Sequence, residues 1–582
     1  MASASSPGAT ATSGSLDCSS SCDPAERSAV LSGSGGVARR TPLTVGRAAA
    51  RGRLVPLGLV VWTAALVALW LALDPRTPDL AAQVYRVALY RQLGFSVWDD
   101  NWYAGHSLPA YSLLYPPLAS LLGMRVLGAL SVAASSVLFA LLARRLFGVS
   151  AARWATAWFA VGALGDVWSG RLTFAFGVSL ALAAALAFAR GRWLAAGVLA
   201  ALATAASPVA GALLGLAGLS FALARRSSRA RCARALLILA GPGALVVGAT
   251  VALFPEGGYE PFPLLSFLAT ALVVLAFLVA LPPCARELRI GGGVYLLACV
   301  ACLAVHTPVG SNVERYGVLL AGPLLLCARA SAGVRWTPAA LAALAAIALW
   351  VVWGPVRETL AVAGSEATSA AYYAPVEHFF ARVQAPPAQP VRVEVPLTRS
   401  HWEAALLAPH VSLARGWEKQ LEERYNGVLL AKGLTAAGYE RWLHEQAVSY
   451  VALPDVPLDP SSAQEGRLIR AGLPYLREVF KSRHWRVFRV LAPTPLLSGP
   501  GRLTALGHDS FTLQARAPGR FVVRVHFTRY WTLARGAGCV SRTAGGWTAL
   551  SLRAAGTVVV KASFSLARAL GVGSSCTPGA SG

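Results

Sequence analysis

Charge is what this chain has least of. Only 14% of its 582 residues are Asp, Glu, Lys or Arg, where a soluble globular protein carries roughly a quarter, and its mean hydropathy is +0.54. An ordinary water-soluble domain is excluded; the chain reads as a polytopic membrane protein. Lysine is scarce, with only Lys419, Lys432, Lys481 and Lys561 among 52 basic residues. Beside the high Ala and Gly content this is the bias of a GC-rich coding sequence, and no function follows from it. No G-x-G-x-x-G follows a strand pattern and no P-loop is present, so a nucleotide cradled on a glycine loop is not expected. Cys18 and Cys22 stand in a C-x-x-x-C spacing with no second pair of ligands nearby, so no zinc site is expected there. The first fifty residues lack any apolar run, hence a signal peptide's hydrophobic region, and residues 1–52 read as a disordered cytoplasmic tail.

What is present is arginine, and its placement is informative. The formal net charge of +25 falls in short clusters between apolar runs, which marks cytoplasmic loops and not a nucleic-acid surface. About eleven apolar windows approach the length of a bilayer crossing, near residues 54–73, 118–143, 152–167, 172–189, 193–209, 210–224, 235–254, 264–281, 292–306, 314–328 and 337–354. The clusters at Arg39–Arg53, Arg144–Arg153, Arg190–Arg192, Arg225–Arg234, Arg286–Arg289 and Arg329–Arg335 all fall on one side of that pattern. An odd number of spans then places the N-terminus in the cytoplasm and everything beyond residue 355 outside the plasma membrane.

The expected organisation is a transmembrane domain at 53–355, an exported α/β region at 356–498 and an exported β-sandwich-like region at 499–582. In the middle region amphipathic runs such as "AGYERWLHEQ" alternate with short strands such as "WRVFRV", as in an α/β unit. Beyond it "SFTLQAR", "GRFVVRVHF" and "TVVVKASF" are strand-like and separated by Gly, Pro and Ser turns. Cys539 and Cys576 lie in this oxidising compartment, where either a disulfide or two free thiols are compatible with the sequence.

The first outer loop reads "DPRTPDLAAQVYRVALYRQLGFSVWDDNWYAGHSLPAYSLLYPPL". Residues Asp79 to Leu93 have helical spacing with Leu80, Val84 and Val87 on one side, a helix expected to lie along the membrane surface. Asp74 and Asp79 precede it, and Asp99 and Asp100 follow, so a folded-back loop would bring the two acidic sets near one another. An acidic residue just after the first span, a long outer loop with an interfacial helix, then "W-Y-x-G" and "Y-P-P", many spans and an exported C-terminal domain together resemble the GT-C superfamily of integral membrane glycosyltransferases. Within it the similarity is greatest to the actinobacterial cell-envelope type. The resemblance implies a sugar donor on a polyprenyl phosphate, a catalytic acid in an outer loop and an envelope glycan or glycolipid acceptor. No cofactor is certain on this reading, and a divalent metal ion is compatible with it.

Transfer of a sugar from a lipid phosphate to an alcohol needs a carboxylate to take the proton and a cation to stabilise the departing phosphate. Asp79 is the first candidate base, Asp99 and Asp100 the next; as a bland alternative Asp79 simply caps the interfacial helix. Trp102 and Tyr103 could stack on a sugar or anchor the interface, and His106 could bind acceptor hydroxyls. Asp166 and Arg171, in "GDVWSGRLTFAFG", form a second polar spot between two spans, while Glu256 and Glu260 in "FPEGGYEPFP" read as solvated. Arg315 breaks the charge bias by standing in a late outer loop, and the family resemblance implies a lipid-phosphate contact there; an ion pair with Glu314 is the structural alternative. A transporter or lipid flippase, or a noncatalytic envelope scaffold, would have the same span pattern. Against transport, few ionisable groups fall at mid-depth.

Overall fold

The computed structural model describes residues 56–225, 228–571 and 576. The expected tail at 1–52, with Cys18 and Cys22 and the first arginine cluster, lies outside the described residues, as does Arg226.

Each of the eleven apolar windows is helical over its described residues, the second broken at Gly123 between a short helix, Tyr115–Leu122, and a long one. The helices are α1 (Leu57–Leu73), α3 (Met124–Phe147), α4 (Val149–Trp168), α5 (Leu172–Ala189), α6 (Trp193–Ala206), α7 (Pro208–Ala224), α8 (Arg229–Leu253), α9 (Leu264–Ala280), α10 (Arg286–Ala304), α11 (Glu314–Ala332) and α12 (Pro338–Val362), with the helix of the first loop, α2 (Pro78–Leu93), between the first two. Five of them, α3, α5, α8, α10 and α12, are long and apolar enough to cross a bilayer unaided. Helices α6, α7 and α9, at 14, 17 and 17 residues, are apolar but short, a mismatch that tilt-free packing or local bilayer thinning accommodates. The membrane part is a polytopic helical bundle.

Helix α1 stops at Asp74, whose backbone is left-handed. Pro75 disfavours helix at the residue before it, and Pro78 restarts it with an N–H missing where none is needed. The chain therefore turns by 80° between α1 and α2. Helix α2 does not lie on an open membrane surface. Ala81, Ala82, Tyr85 and Leu89 pack into a core shared with the C-terminal region, while Val87 joins the core of the membrane bundle. The side chains that look amphipathic in sequence are sandwiched between two bodies.

After α2 a short hairpin pairs β1 (Trp98–Asp99) with β2 (His106–Ser107). The C-terminal region then holds two units. The first is a five-stranded mixed sheet of β3 (Arg392–Glu394), β4 (Ser412–Leu413), β5 (Tyr450–Pro454), β6 (Leu476–Lys481) and β7 (Trp485–Val490) in the order β4-β3-β5-β7-β6, flanked by helices such as Ala436–Glu445 and Ala463–Ala471. Pairs β3–β4 and β3–β5 are parallel; the other pairs are antiparallel.

The second unit is a sandwich of two four-stranded antiparallel sheets. Its strands are β8 (Leu497–Ser498), β9 (Gly501–Leu506), β10 (Ser510–Ala515), β11 (Gly519–His526), β12 (Trp531–Arg535), β13 (Gly538–Arg542), β14 (Trp547–Leu552) and β15 (Gly556–Ala562), ordered β12-β15-β10-β9 and β13-β14-β11-β8. Period-two alternation sends Phe511, Leu513, Phe521, Val523, Val558 and Val560 into one core. Cys539 on β13 is disulfide-bonded to Cys576, with Cα atoms 5.2 Å apart, which ties down the chain after the last strand.

Candidate active site

Two acidic groupings of the first loop end up in different places. Asp79, second residue of α2, faces the turn between α4 and α5. Gly170 makes that approach possible: its φ is +76°, and a Cβ there would stand 2.3 Å from the backbone nitrogen of Leu80. Thr77 donates its hydroxyl to the Trp168 carbonyl at 2.9 Å, securing the same junction. Arg171, just past the turn, donates from Nε to Asp79 Oδ2 at 3.2 Å and from Nη2 to Glu358 Oε1 at 2.8 Å. Asp79 and Arg171 keep 32% and 23% side-chain exposure, so the pair is reachable from solvent. Asp79 Oδ1 carries no hydrogen bond among the described residues.

Arg315, at the start of α11, lies within Coulombic reach of Arg171, Asp79 and Asp166. Its guanidinium carbon is 5.1 Å from the Phe174 ring centroid, and among the described residues it forms no ion pair. Glu314 instead accepts a hydrogen bond from Thr270 Oγ1 at 3.0 Å. Glu260 completes the group. Gly310, with φ of +43°, would place a Cβ 1.9 Å from the Glu260 carbonyl oxygen, so only glycine lets the α10–α11 loop lie against it. Ser311 donates to Glu260 Oε1 at 3.1 Å. Burial pushes the Glu260 carboxyl up to about 7, against the lowering pull of Ser311, Arg315 and Lys419. Asp79, Asp166, Arg171 and Arg315 thus come together, joined by Glu260, Glu358 and Lys419.

Asp99 and Asp100 do not join this cluster, and no hydrogen bond or ion pair links them to Asp79. Both are fully buried. Tyr85 donates its hydroxyl to Asp99 Oδ2 at 2.8 Å, His508 Nδ1 lies 3.2 Å from Asp99 Oδ1, and Trp98 Nε1 donates to Asp100 Oδ1 at 2.8 Å. Desolvation raises the Asp100 carboxyl well above the ordinary carboxylate range.

Their neighbours are equally enclosed. Trp102 stacks on Tyr85 at 4.4 Å and on His106 at 5.6 Å and donates Nε1 to the Ala404 carbonyl at 3.0 Å. Tyr103 exchanges hydrogen bonds with the backbone of Glu418, whose carboxylate pairs with Arg86. His106 is buried 3.9 Å from Asp99. The loop backbone bonds outward as well: Leu413 donates to the Asn101 carbonyl at 2.8 Å and His526 to the Ala104 carbonyl at 2.7 Å. The "WDDNWYAGH" stretch is a peg that joins both C-terminal units to the membrane bundle. Asp99, Asp100, Trp102, Tyr103 and His106 therefore lie enclosed in this peg, with Asp100 Oδ2 and both ring nitrogens of His106 left without a hydrogen-bond partner among the described residues.

Glu256 is not solvated either. It accepts Ser107 N–H at 2.6 Å and the Tyr425 hydroxyl at 2.9 Å, and burial raises its carboxyl. Glu358 escaped the sequence reading because its apolar window ends at residue 354; α12 continues through Pro355 to Val362 and carries Glu358 onto Arg171. Among the described residues no three His, Cys, Asp or Glu side chains form a metal-ligand set, and Asp79 and Glu358 each hold one carboxylate oxygen against Arg171.

No protein-family model matches the chain, and no curated relative matches it. Among solved structures it is similar to ArnT from Cupriavidus metallidurans bound to undecaprenyl phosphate, with 14% identity, a TM-score of 0.42, and coverage of 74% of this chain and 98% of that one. It is also similar to the Archaeoglobus fulgidus oligosaccharyltransferase in the apo form, with 13% identity, a TM-score of 0.42, and coverage of 68% and 69%. At these values neither activity nor residue roles transfer to this chain.

Proposed function

We propose that the protein is an inverting membrane glycosyltransferase that moves a sugar from a polyprenyl-phosphate donor to an extracytoplasmic envelope glycan or glycolipid. The arginine clusters support an N-terminus in the cytoplasm and a C-terminal region outside the plasma membrane. One observation carries the reading: a partly exposed carboxylate, Asp79, and a guanidinium without an ion-pair partner among the described residues, Arg315, share one charge cluster at the ends of apolar helices. In a single displacement the acceptor oxygen attacks the anomeric carbon, forming the new glycosidic bond as the carbon–phosphate oxygen bond breaks. The phosphate leaves with the bonding electrons and is met by Arg315, while Asp79 takes the hydroxyl proton. Arg171, held between Asp79 and Glu358, positions the base. Incubating the purified protein with radiolabelled polyprenyl-phosphate sugars and an envelope acceptor tests this; no transfer of any label, with donor bound, favours a transporter or scaffold.

Two variants separate this site from a structural cluster. Arg315→Lys keeps the charge but loses the planar fork, so donor Kd rises and turnover survives; Arg315→Ala weakens donor binding by about 10- to 100-fold. Equal loss of expression in both, copied by Glu314→Ala, would show a structural arginine instead.

The second prediction concerns pH. Glu260 is raised to about 7, so it is neutral below that pH and anionic above it. Ionisation sets a negative charge beside Arg315, so donor affinity falls as pH rises through about 7. Glu260→Gln should flatten the profile of donor Kd measured from about pH 6 to 8; an unchanged inflection would assign the titration elsewhere.

A further inference from the structure

The lipid-facing side of α8 does not end where the helix does. Leu245 and Val251 are strongly exposed on it, as lipid-facing side chains of a span are expected to be, and α8 ends at Leu253, just before Phe254. There the β-sandwich is fastened directly to it. Tyr530 donates its hydroxyl to the Leu253 carbonyl at 2.6 Å, and the rings of Phe254, Tyr530 and Phe564 lie 5.7 to 6.0 Å from one another.

From that aromatic junction the segment after β15 projects three large apolar side chains that the described residues leave largely uncovered. Phe564 is 45% exposed, Leu566 64% and Leu570 72%. A short helical turn, Leu566–Ala569, capped by Ser565, carries Leu566, with Phe564 just before it and Leu570 just after. Arg529 donates to the Ala569 carbonyl at 2.8 Å and Arg568 to the Ser563 side chain at 2.8 Å, so two guanidiniums flank the apolar patch. An apolar tip rimmed by arginines, continuous with the lipid-facing stripe of a span, has the make-up of an interfacial anchor.

We propose that Phe564, Leu566 and Leu570 insert into the interfacial layer of the bilayer that holds the bundle, with Arg529 and Arg568 at the level of the phosphates, so that the β-sandwich rests on the membrane as a non-spanning foot. The partner is the lipid surface itself, and the inference does not depend on the chemistry proposed above.

The test uses the full chain in phosphatidylcholine nanodiscs that contain a phospholipid with a diazirine near the top of one acyl chain, followed by peptide mass spectrometry. Peptides covering 564–571 should be labelled, and the same probe at the acyl terminus should leave them unlabelled. Leu566→Ser with Leu570→Ser should cut the labelling about tenfold, and Leu566→Trp, which adds interfacial affinity, should raise it. Because these positions are exposed, the disulfide and far-ultraviolet spectrum should be unchanged. Absence of lipid label on 564–571 in the parent protein overturns the proposal, as does a cross-link from this patch to a second copy in its place.

Discussion

Asp79→Asn is expected to lower transfer by about two to four orders of magnitude while donor Kd stays nearly constant. The amide retains the shape of the carboxylate and can still accept from Arg171 Nε, which lies 3.2 Å away, so the α2–α5 junction survives. It cannot take a proton from the acceptor. Single-turnover transfer beside equilibrium donor binding separates these effects, because loss of an interaction made only in the transition state lowers turnover without changing ground-state affinity. Asp99→Asn and Asp100→Asn should behave differently. Both positions are buried against the C-terminal region, so these variants should lower folded yield and leave turnover per folded molecule near the parent value. An active Asp79→Asn beside a folded but dead Asp99 or Asp100 variant would move the base to the peg.

Arg415→Met should unravel the five-stranded sheet. This buried guanidinium donates to Glu465 at 2.9 Å and Ser462 at 2.8 Å, meets Glu422 at 2.5 Å, and lies 3.6 Å from Glu394. All three carboxyls are buried, and one positive charge cannot balance three negative ones. Burial, with Glu465 beside it, drives the Glu394 carboxyl well above the ordinary range. Methionine fills the volume and leaves the acids without a cation, a loss of about 3 to 5 kcal/mol. Amide exchange at Arg392–Glu394 and Ala463–Ala471 should then quicken by about two to three and a half decades. The sign of the pH dependence follows from the raised carboxyl: its stabilising protonated form is fully present below the ordinary glutamate range and is lost as pH rises through the folded-state value. The Met variant should be least impaired in acid and most impaired at high pH. Exchange equal to the parent's at all pH values would mean the acids do not depend on Arg415.

Hydrophobic length and arginine placement needed no tertiary information, because whether twenty apolar residues leave water depends on those residues alone. All eleven windows are accordingly helical over their described residues, the first loop carries its helix at Pro78–Leu93, and the alternation beyond residue 500 is a two-sheet sandwich. Period and composition are local properties, and the sequence determined them. The site was only half legible. Asp79, Asp166, Arg171 and Arg315 could be chosen one at a time, Asp79 from the outer-loop resemblance, Asp166 and Arg171 as ionisable groups at a span end and Arg315 as an arginine against the charge bias, but their meeting depends on Gly170 and Gly310 letting backbones touch. Glu358 was hidden by the continuation of α12 past Pro355. For the acidic pair after the interfacial helix the tertiary structure decided the surroundings. Asp99 and Asp100 were singled out by an outer-loop acidic pattern that resembles a glycosyltransferase family, and their burial depends on residues between 404 and 526 closing over them. Burial is set by what arrives from far along the chain, so tertiary structure alone decided which aspartates face the membrane cluster and which hold the two bodies together.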